Sequence, residues 1–215
     1  MSGMAQTQMT EVLAEALEAL REGRPVLVLD DLDRENEGDI ILAAQTITPG
    51  WMGWTIRHSS GYVCVPMPAE WADRLELPLM VTNNQDSLRT AYTVTVDAAA
   101  GITTGISATD RALTVSLLGS PDTTAAHLIR PGHLVPLRAR PGGVLERIGH
   151  TEAAVDLCLL AGLTPVAAIA ELVDDEGEML RGEEVRVLGK EHDLPVLSVA
   201  DVVAHRRSAE GRMGS

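Results

Sequence analysis

Apolar and polar positions in this chain alternate between the period of a helix and that of a strand. Val12, Leu13, Ala16, Leu17 and Leu20 recur at helical spacing, which predicts a helix from an N-cap at Thr10 to a stop at Gly23. Residues 25–29 (PVLVL) form a continuous β-prone run that predicts a buried strand, and residues 40–44 predict a second. Helices are expected over 49–57 and 68–75, with a strand over 62–65 between them. Residues 79–91 are polar and Asn-rich, hence a loop and a candidate lid, and 92–96 (YTVTV) reads as a strand. A helix over 109–118 and a short one from Asp122 lead to a turn at Arg130-Pro131-Gly132, followed by a strand over 133–137. Beyond the Gly-rich loop 140–149 come a helix over 151–160, a strand over 166–172, a turn at 174–177, a helix over 183–191, a strand over 196–199 and a helix over 199–206.

The elements interleave without a linker, repeat or break in composition. The expected fold class is therefore α+β with interleaved α/β elements, in a single domain over 10–206 with a mixed sheet flanked by helices. Residues 1–9 read as a disordered lead-in and 207–215 as a frayed tail.

Composition narrows the function. The 215 residues are 45% hydrophobic but include no Phe, three Trp and two Tyr, so an aliphatic core is expected. With 31 carboxylates against 17 Lys and Arg, the net charge is −14. Such a field disfavours nucleic acid and anionic membranes, and an anionic ligand would need the few cations gathered in one place. Two distant cysteines, Cys64 and Cys158, suit a reducing compartment. With no basic segment leading into an apolar run and no long apolar stretch, neither a secretory signal nor a membrane span is expected, and the location expected is cytoplasmic.

Candidate chemistry concentrates in two stretches. Asp30-Asp31-Leu32-Asp33-Arg34-Glu35-Asn36-Glu37-Gly38-Asp39 carries six carboxylates in ten residues between two apolar strands. If extended, it puts Glu35, Glu37 and Asp39 on one side, as hard oxygen ligands for Mg²⁺ or Mn²⁺. Taken alone, it also suits a solvated acidic turn. The stretch from Pro141 to Glu152 is a Gly-rich loop running into a helix N-terminus, an arrangement that cradles anions. Arg147 and Thr151 would add donors there, and His150 a metal ligand or proton carrier. Glu152 reads as a charge that compensates the helix dipole. A third stretch, 101–111, is rich in hydroxyls and glycine, with Ser107 or Thr109 as a helix cap. His133 and Glu171 fall near strand ends, where a carboxylate must be paired, hydrated or bound.

These stretches together resemble the 3,4-dihydroxy-2-butanone-4-phosphate synthase family. The resemblance rests on Asp30-Asp31 with Arg34 to Asp39, Arg57-His58-Ser59-Ser60-Gly61, Thr93 to Val96, Thr103 to Ala108 with Asp110-Arg111, Arg130-Pro131-Gly132-His133, Gly142 to Leu145, and Arg147 with Gly149 to Ala153. It implies conversion of D-ribulose 5-phosphate to L-3,4-dihydroxybutan-2-one 4-phosphate and formate in riboflavin biosynthesis. It also implies Mg²⁺ or Mn²⁺ and a homodimer with active sites at the interface. Carried over, Glu35 and His150 would hold the metal. Arg34, Glu35, Asp39, Thr104, Arg147, Gly149, His150, Thr151 and Glu171 would bind substrate, and His133 and Glu171 would act in catalysis, with Asp39 or Glu37 expected as the catalytic base that removes the first proton. Arg34, Arg111, Arg130 and Arg147 would form a locally cationic pocket. Tyr92 stands where the family usually has Phe. Cys64 is read as a buried small hydrophobe, and the chain as a monofunctional enzyme or an excised domain. The other readings are a metal-dependent sugar-phosphate isomerase or aldolase, and a non-catalytic divalent-cation-binding protein.

Overall fold

The computed structural model describes residues 3–31 and 33–213. Its centre is a seven-stranded mixed sheet in the order β4-β5-β3-β6-β2-β1-β7. The first two strands, β1 (Val26–Leu29) and β2 (Gly38–Ala43), form an antiparallel hairpin in which Leu29 faces Gly38. The acidic stretch spans the loop of that hairpin and the first two residues of β2, Gly38 and Asp39. Strand β3 (Cys64–Pro68) runs parallel to β5 (Leu128–Ala139), and β4 (Val96–Ala98) lies antiparallel to β5 at one edge. Strand β6 (Ala167–Glu171) joins the two halves, pairing antiparallel with both β2 and β3, and β7 (Val196–Ser198) closes the other edge beside β1.

Strand periodicity sends alternate residues to opposite faces. Leu27, Leu29, Ile40 and Leu42 pack on one side with Met52 and Trp54 of α2 (Pro49–His58), Ala72 of α3 (Ala69–Arg74), Val115 and Leu118 of α4 (Ala108–Gly119), and Val185 of α6 (Gly182–Glu191). Val26, Val28, Ile41 and Ala43 pack on the other, against α1 (Gly3–Arg21), α5 (His150–Leu160) and α7 (Val199–Met213). Both cores are aliphatic apart from Trp54, as the lack of Phe requires. This is the α+β domain with a helix-flanked mixed sheet expected from the pattern. No helix among the described residues is long and apolar enough to cross a membrane.

Several boundaries differ from expectation. Helix α1 starts at Gly3, so Thr10 lies inside it and not at its cap, and the expected disordered lead-in is helical from Gly3 to Met9; its first two residues lie outside those described. Helix α7 runs to Met213, past the expected stop at Arg206 and through most of the expected frayed tail. The alternating run 92–96 is mostly not a strand: Tyr92 and Thr93 make isolated bridges to Leu137 and Leu79, and the paired strand begins at Val96. Arg130-Pro131-Gly132 is not a turn but part of β5, where pairing with β4 shifts register between Val96 and Asp97. A Cβ on Gly132 would lie 2.0 Å from the backbone carbon of Val96, so the two strands approach too closely there for any side chain. The short helix expected from Asp122 is a single 3-10 turn at Ala125–His127.

Candidate functional site

The hairpin loop is organised from within. Asp30, whose side chain is almost fully buried, accepts hydrogen bonds from the backbone N–H groups of Glu35 (3.1 Å) and Glu37 (2.9 Å) and from Arg34 Nη1 (2.9 Å). Arg34 also pairs with Glu35. The loop passes through a turn at 33–35 and a left-handed Asn36 (φ 54°), so it is not the continuous extended segment the pattern suggested. It nonetheless delivers Glu35, Glu37 and Asp39 to one recess of about 60 Å³, lined also by Arg34, Arg147, His150, Thr151 and Glu171.

Helix α5 points its N-terminus into this recess. Gly149 is its N-cap and makes no side-chain cap bond, which leaves the first N–H groups to an incoming group. His150 is buried, and its Nε2 lies 3.0 Å from Val28 O. Donation of an Nε2–H to that carbonyl leaves the Nδ1 lone pair facing Asp39 Oδ1 at 3.5 Å and Glu35 Oε2 at 4.0 Å. Burial pushes the imidazole pKa down to about 4, so it is neutral and fit to ligate. One ligand atom each from Asp30, Glu35 and His150 lie within 4.8 Å of one another. Two carboxylates and one imidazole at this spacing fit a hard divalent cation. Asp30 was not among the expected ligands, because nothing local distinguishes it from Asp31 and Asp33; only the hairpin turns it inward.

Asp39 and Glu171 stand directly opposite each other in the β2–β6 ladder. Asp39 is 3% exposed. Burial above all, and then Glu171, Glu35, Asp30 and Glu37, push its carboxyl well above the usual carboxylate range. Glu37 is raised by the same causes, burial first and then Glu35. Glu171 is gripped from the loop after α2: Ser60 Oγ donates to its Oε2 at 2.7 Å, and Ser60 N to its carbonyl at 2.8 Å. Cys64 also lines the recess, with its thiol pushed up by burial, so it remains protonated there.

The cationic side is narrower than expected. A Cβ on Gly149 would lie 2.8 Å from Arg147 Nη1 and 3.0 Å from Arg34 Nη2, so two guanidiniums converge over the helix N-terminus. Arg111 and Arg130 do not join them. Arg111 is buried and donates to Gly61 O at 3.0 Å, while Arg130 donates to carbonyls of Leu75, Ala125 and Leu128. Both are bound into loops elsewhere in the fold, which corrects the four-arginine pocket.

Two further expected residues lie outside this recess in a single chain. His133 sits on β5 four residues before the recess-lining Leu137, about 13 Å along an extended strand. Its Nδ1 meets the buried Asp97 Oδ2 at 2.6 Å, and its ring is partly exposed. Thr104 is exposed in the loop before α4, between Thr103 and Gly105, whose N–H groups donate to Asp110. Ser107, one of the two proposed caps, is the N-cap of α4. Thr90 and Tyr92, from the polar loop and its end, line the recess although neither was expected among the site residues.

The chain is similar to known proteins over most of its length. The family model for 3,4-dihydroxy-2-butanone 4-phosphate synthase matches residues 14–205. The chain is 51% identical to a Proteus mirabilis protein named 3,4-dihydroxy-2-butanone 4-phosphate synthase, covering 95% of this chain and 94% of that one. It is 54% identical to the Nocardia farcinica riboflavin biosynthesis protein RibBA over 93% of this chain, but spans only 49% of that protein's length. A crystal structure of a 3,4-dihydroxy-2-butanone 4-phosphate synthase in complex with two magnesium ions superposes with a TM-score of 0.89 at 47% identity, covering 93% of this chain and 98% of the other. By its sequence, its fold and the residues gathered at the mouth of the β1–β2 hairpin, the chain belongs to the 3,4-dihydroxy-2-butanone 4-phosphate synthase family.

Proposed function

We propose that the protein forms L-3,4-dihydroxybutan-2-one 4-phosphate and formate from D-ribulose 5-phosphate, a step of riboflavin biosynthesis, with Mg²⁺ or Mn²⁺ in its site. One observation carries the reading. A single recess holds a hard-ligand cluster, two guanidiniums over a helix N-terminus, and a buried carboxylate, Asp39, opposed by the half-buried Glu171. That is what a small phosphorylated keto sugar requires: an anion cradle for one end and acid–base groups for the other.

Arg34, Arg147, Thr151 and the free N–H groups after Gly149 hold the phosphate. Glu35 and His150, with Asp30 beside them, hold the metal, which when bound supplies Lewis-acid stabilisation of negative charge on the substrate oxygens. Asp39 takes onto a carboxylate oxygen the proton from the carbon beside the carbonyl, since a carboxylate whose acid form is favoured is the stronger base. Glu37 and Glu171 exchange protons in the later steps, with Ser60 holding Glu171 in place.

We further propose that the protein is a homodimer in which His133 and Thr104 of a second copy complete this recess. The support is that His133 is oriented by Asp97, is partly exposed, and does not line the recess that gathers Glu35, Asp39, His150 and Glu171. The cytoplasm is the compartment proposed, consistent with two free thiols.

Formate release from D-ribulose 5-phosphate, measured with Mg²⁺ and with EDTA for wild type and Glu35→Gln, tests the chemistry. Metal-dependent formate lost in the variant supports it. Substrate consumed without formate would point instead to an isomerase or aldolase, and untouched substrate to a non-catalytic cation binder. Mixing inactive Glu35→Gln with inactive His133→Ala tests the shared site: partial recovery of activity is expected, and none would sink it.

A further inference from the structure

We infer that Glu152 is the positioning residue of the anion cradle, acting through Arg147; the inference rests on the reading of Arg147 as a phosphate-binding group. Glu152 stands in the first turn of α5, where an acid is ordinarily explained by the helix dipole. That role is satisfied by an exposed carboxylate. The Glu152 side chain is only 1% exposed, and both of its oxygens are engaged. Its Oε1 accepts the backbone N–H of Arg140 at 3.1 Å, and its Oε2 accepts from Arg147 Nη1 at 2.7 Å. One carboxylate thus ties the two ends of the Gly-rich loop to the helix whose N-terminus forms the cradle.

The rest of the Arg147 guanidinium is loosely held. Its Nη2 lies 3.4 Å from both Leu88 O and Thr90 Oγ1, distances at which a hydrogen bond is weak. The charge-assisted bond to Glu152 therefore sets the direction of the cation, and the Nη2 side remains available to an anion. One turn further along α5, the buried Asp156 accepts Val144 N–H at 3.0 Å and pairs with Arg206, so the middle of the same loop is held from the same helix. A glutamine at 152 has one oxygen. It can accept from Arg140 or from Arg147 but not from both, and it removes the countercharge.

The test is steady-state kinetics on the full chain with Mg²⁺, using inorganic phosphate as a competitive inhibitor. The variants are Glu152→Gln, Glu152→Asp, Arg147→Ala and the Arg147→Ala/Glu152→Gln double variant. In Glu152→Gln, KM and the phosphate inhibition constant are expected to rise together about tenfold, with kcat within about threefold of wild type. On the Arg147→Ala background the same substitution is expected to add less than about twofold, because its effect runs through that guanidinium. Glu152→Asp keeps the charge but is one methylene shorter, so an intermediate KM is expected; it carries the comparison if Glu152→Gln fails to fold. Wild-type KM and inhibition constants in the 152 variants, or a rise repeated in full without Arg147, would overturn the inference while leaving the phosphate reading intact. If Arg147→Ala itself leaves both constants unchanged, the phosphate reading fails and this inference with it.

Discussion

Asp39 and Glu171 face each other across the β2–β6 ladder, two carboxylates in direct register at the end of a buried sheet. Opposed like charges destabilise a sheet, and burial compounds the effect by disfavouring the ionised forms. Such a pair persists against its cost when the site uses it.

Asp39→Asn removes that repulsion while keeping shape, and its amide N–H can face His150 Nδ1 where the carboxyl does now. In EDTA-treated protein the variant is expected to be more stable by about 1–3 kcal/mol in urea unfolding, by relief of a buried charge. Its kcat for formate release should fall by about 100-fold or more. A variant that is both less stable and fully active would contradict the role given to Asp39.

Gly149→Ala places a methyl group against the ends of Arg147 and Arg34, which are flexible and can move aside. Stability should therefore change by less than about 1 kcal/mol, while KM rises about tenfold because the two guanidiniums are parted over the helix N-terminus. Thermal melts and substrate titrations on the same preparation separate the two effects.

Gly132→Ala tests a different kind of closeness. Its methyl would meet backbone on β4, at 2.0 Å from one atom and 2.3 Å from two others, and backbone cannot step aside as a side-chain tip can. A loss of about 3 kcal/mol or more is expected in urea unfolding, since the edge pairing of β4 with β5 must open.

Asp110 provides a pH test of the loop that carries Thr104. The Thr103 hydroxyl, with the N–H groups of Thr103 and Gly105, holds its carboxyl below the usual value of 3.8. A folded pKa lower than the unfolded one means the stabilisation is present above that ordinary value and is lost as pH falls through the depressed one. The Tm difference between wild type and Asp110→Asn should hold steady at neutral and mildly acidic pH and shrink below about pH 3.8. A difference independent of pH would show that the carboxylate charge contributes nothing.

What the sequence by itself determined was local. The runs around Val26 to Leu29 and Ile40 to Ala43 are β-prone and continuous, and they are strands buried on both faces; Val12 to Leu20 has helical spacing and forms a helix with its apolar side inward. Glu35, Asp39, Arg147, His150 and Glu171, which the fold gathers at one recess, were marked in the sequence because carboxylates between apolar strands, and a histidine where a Gly-rich loop meets a helix, suggest a site. Where an element stops was less legible. Residues 92–96 alternate as a strand should, yet of these only Val96 is in a paired strand, opposite Leu134 on a distant stretch of chain. The tertiary structure alone decided that Asp30 turns inward to join Glu35 and His150, that Glu152 is buried against Arg147, and that Arg111 and Arg130 serve other loops. Each of these depends on contacts between residues far apart in sequence or on the path of a loop. Propensity and periodicity act over a few residues, whereas burial and charge pairing are settled only when the sheet brings those residues together.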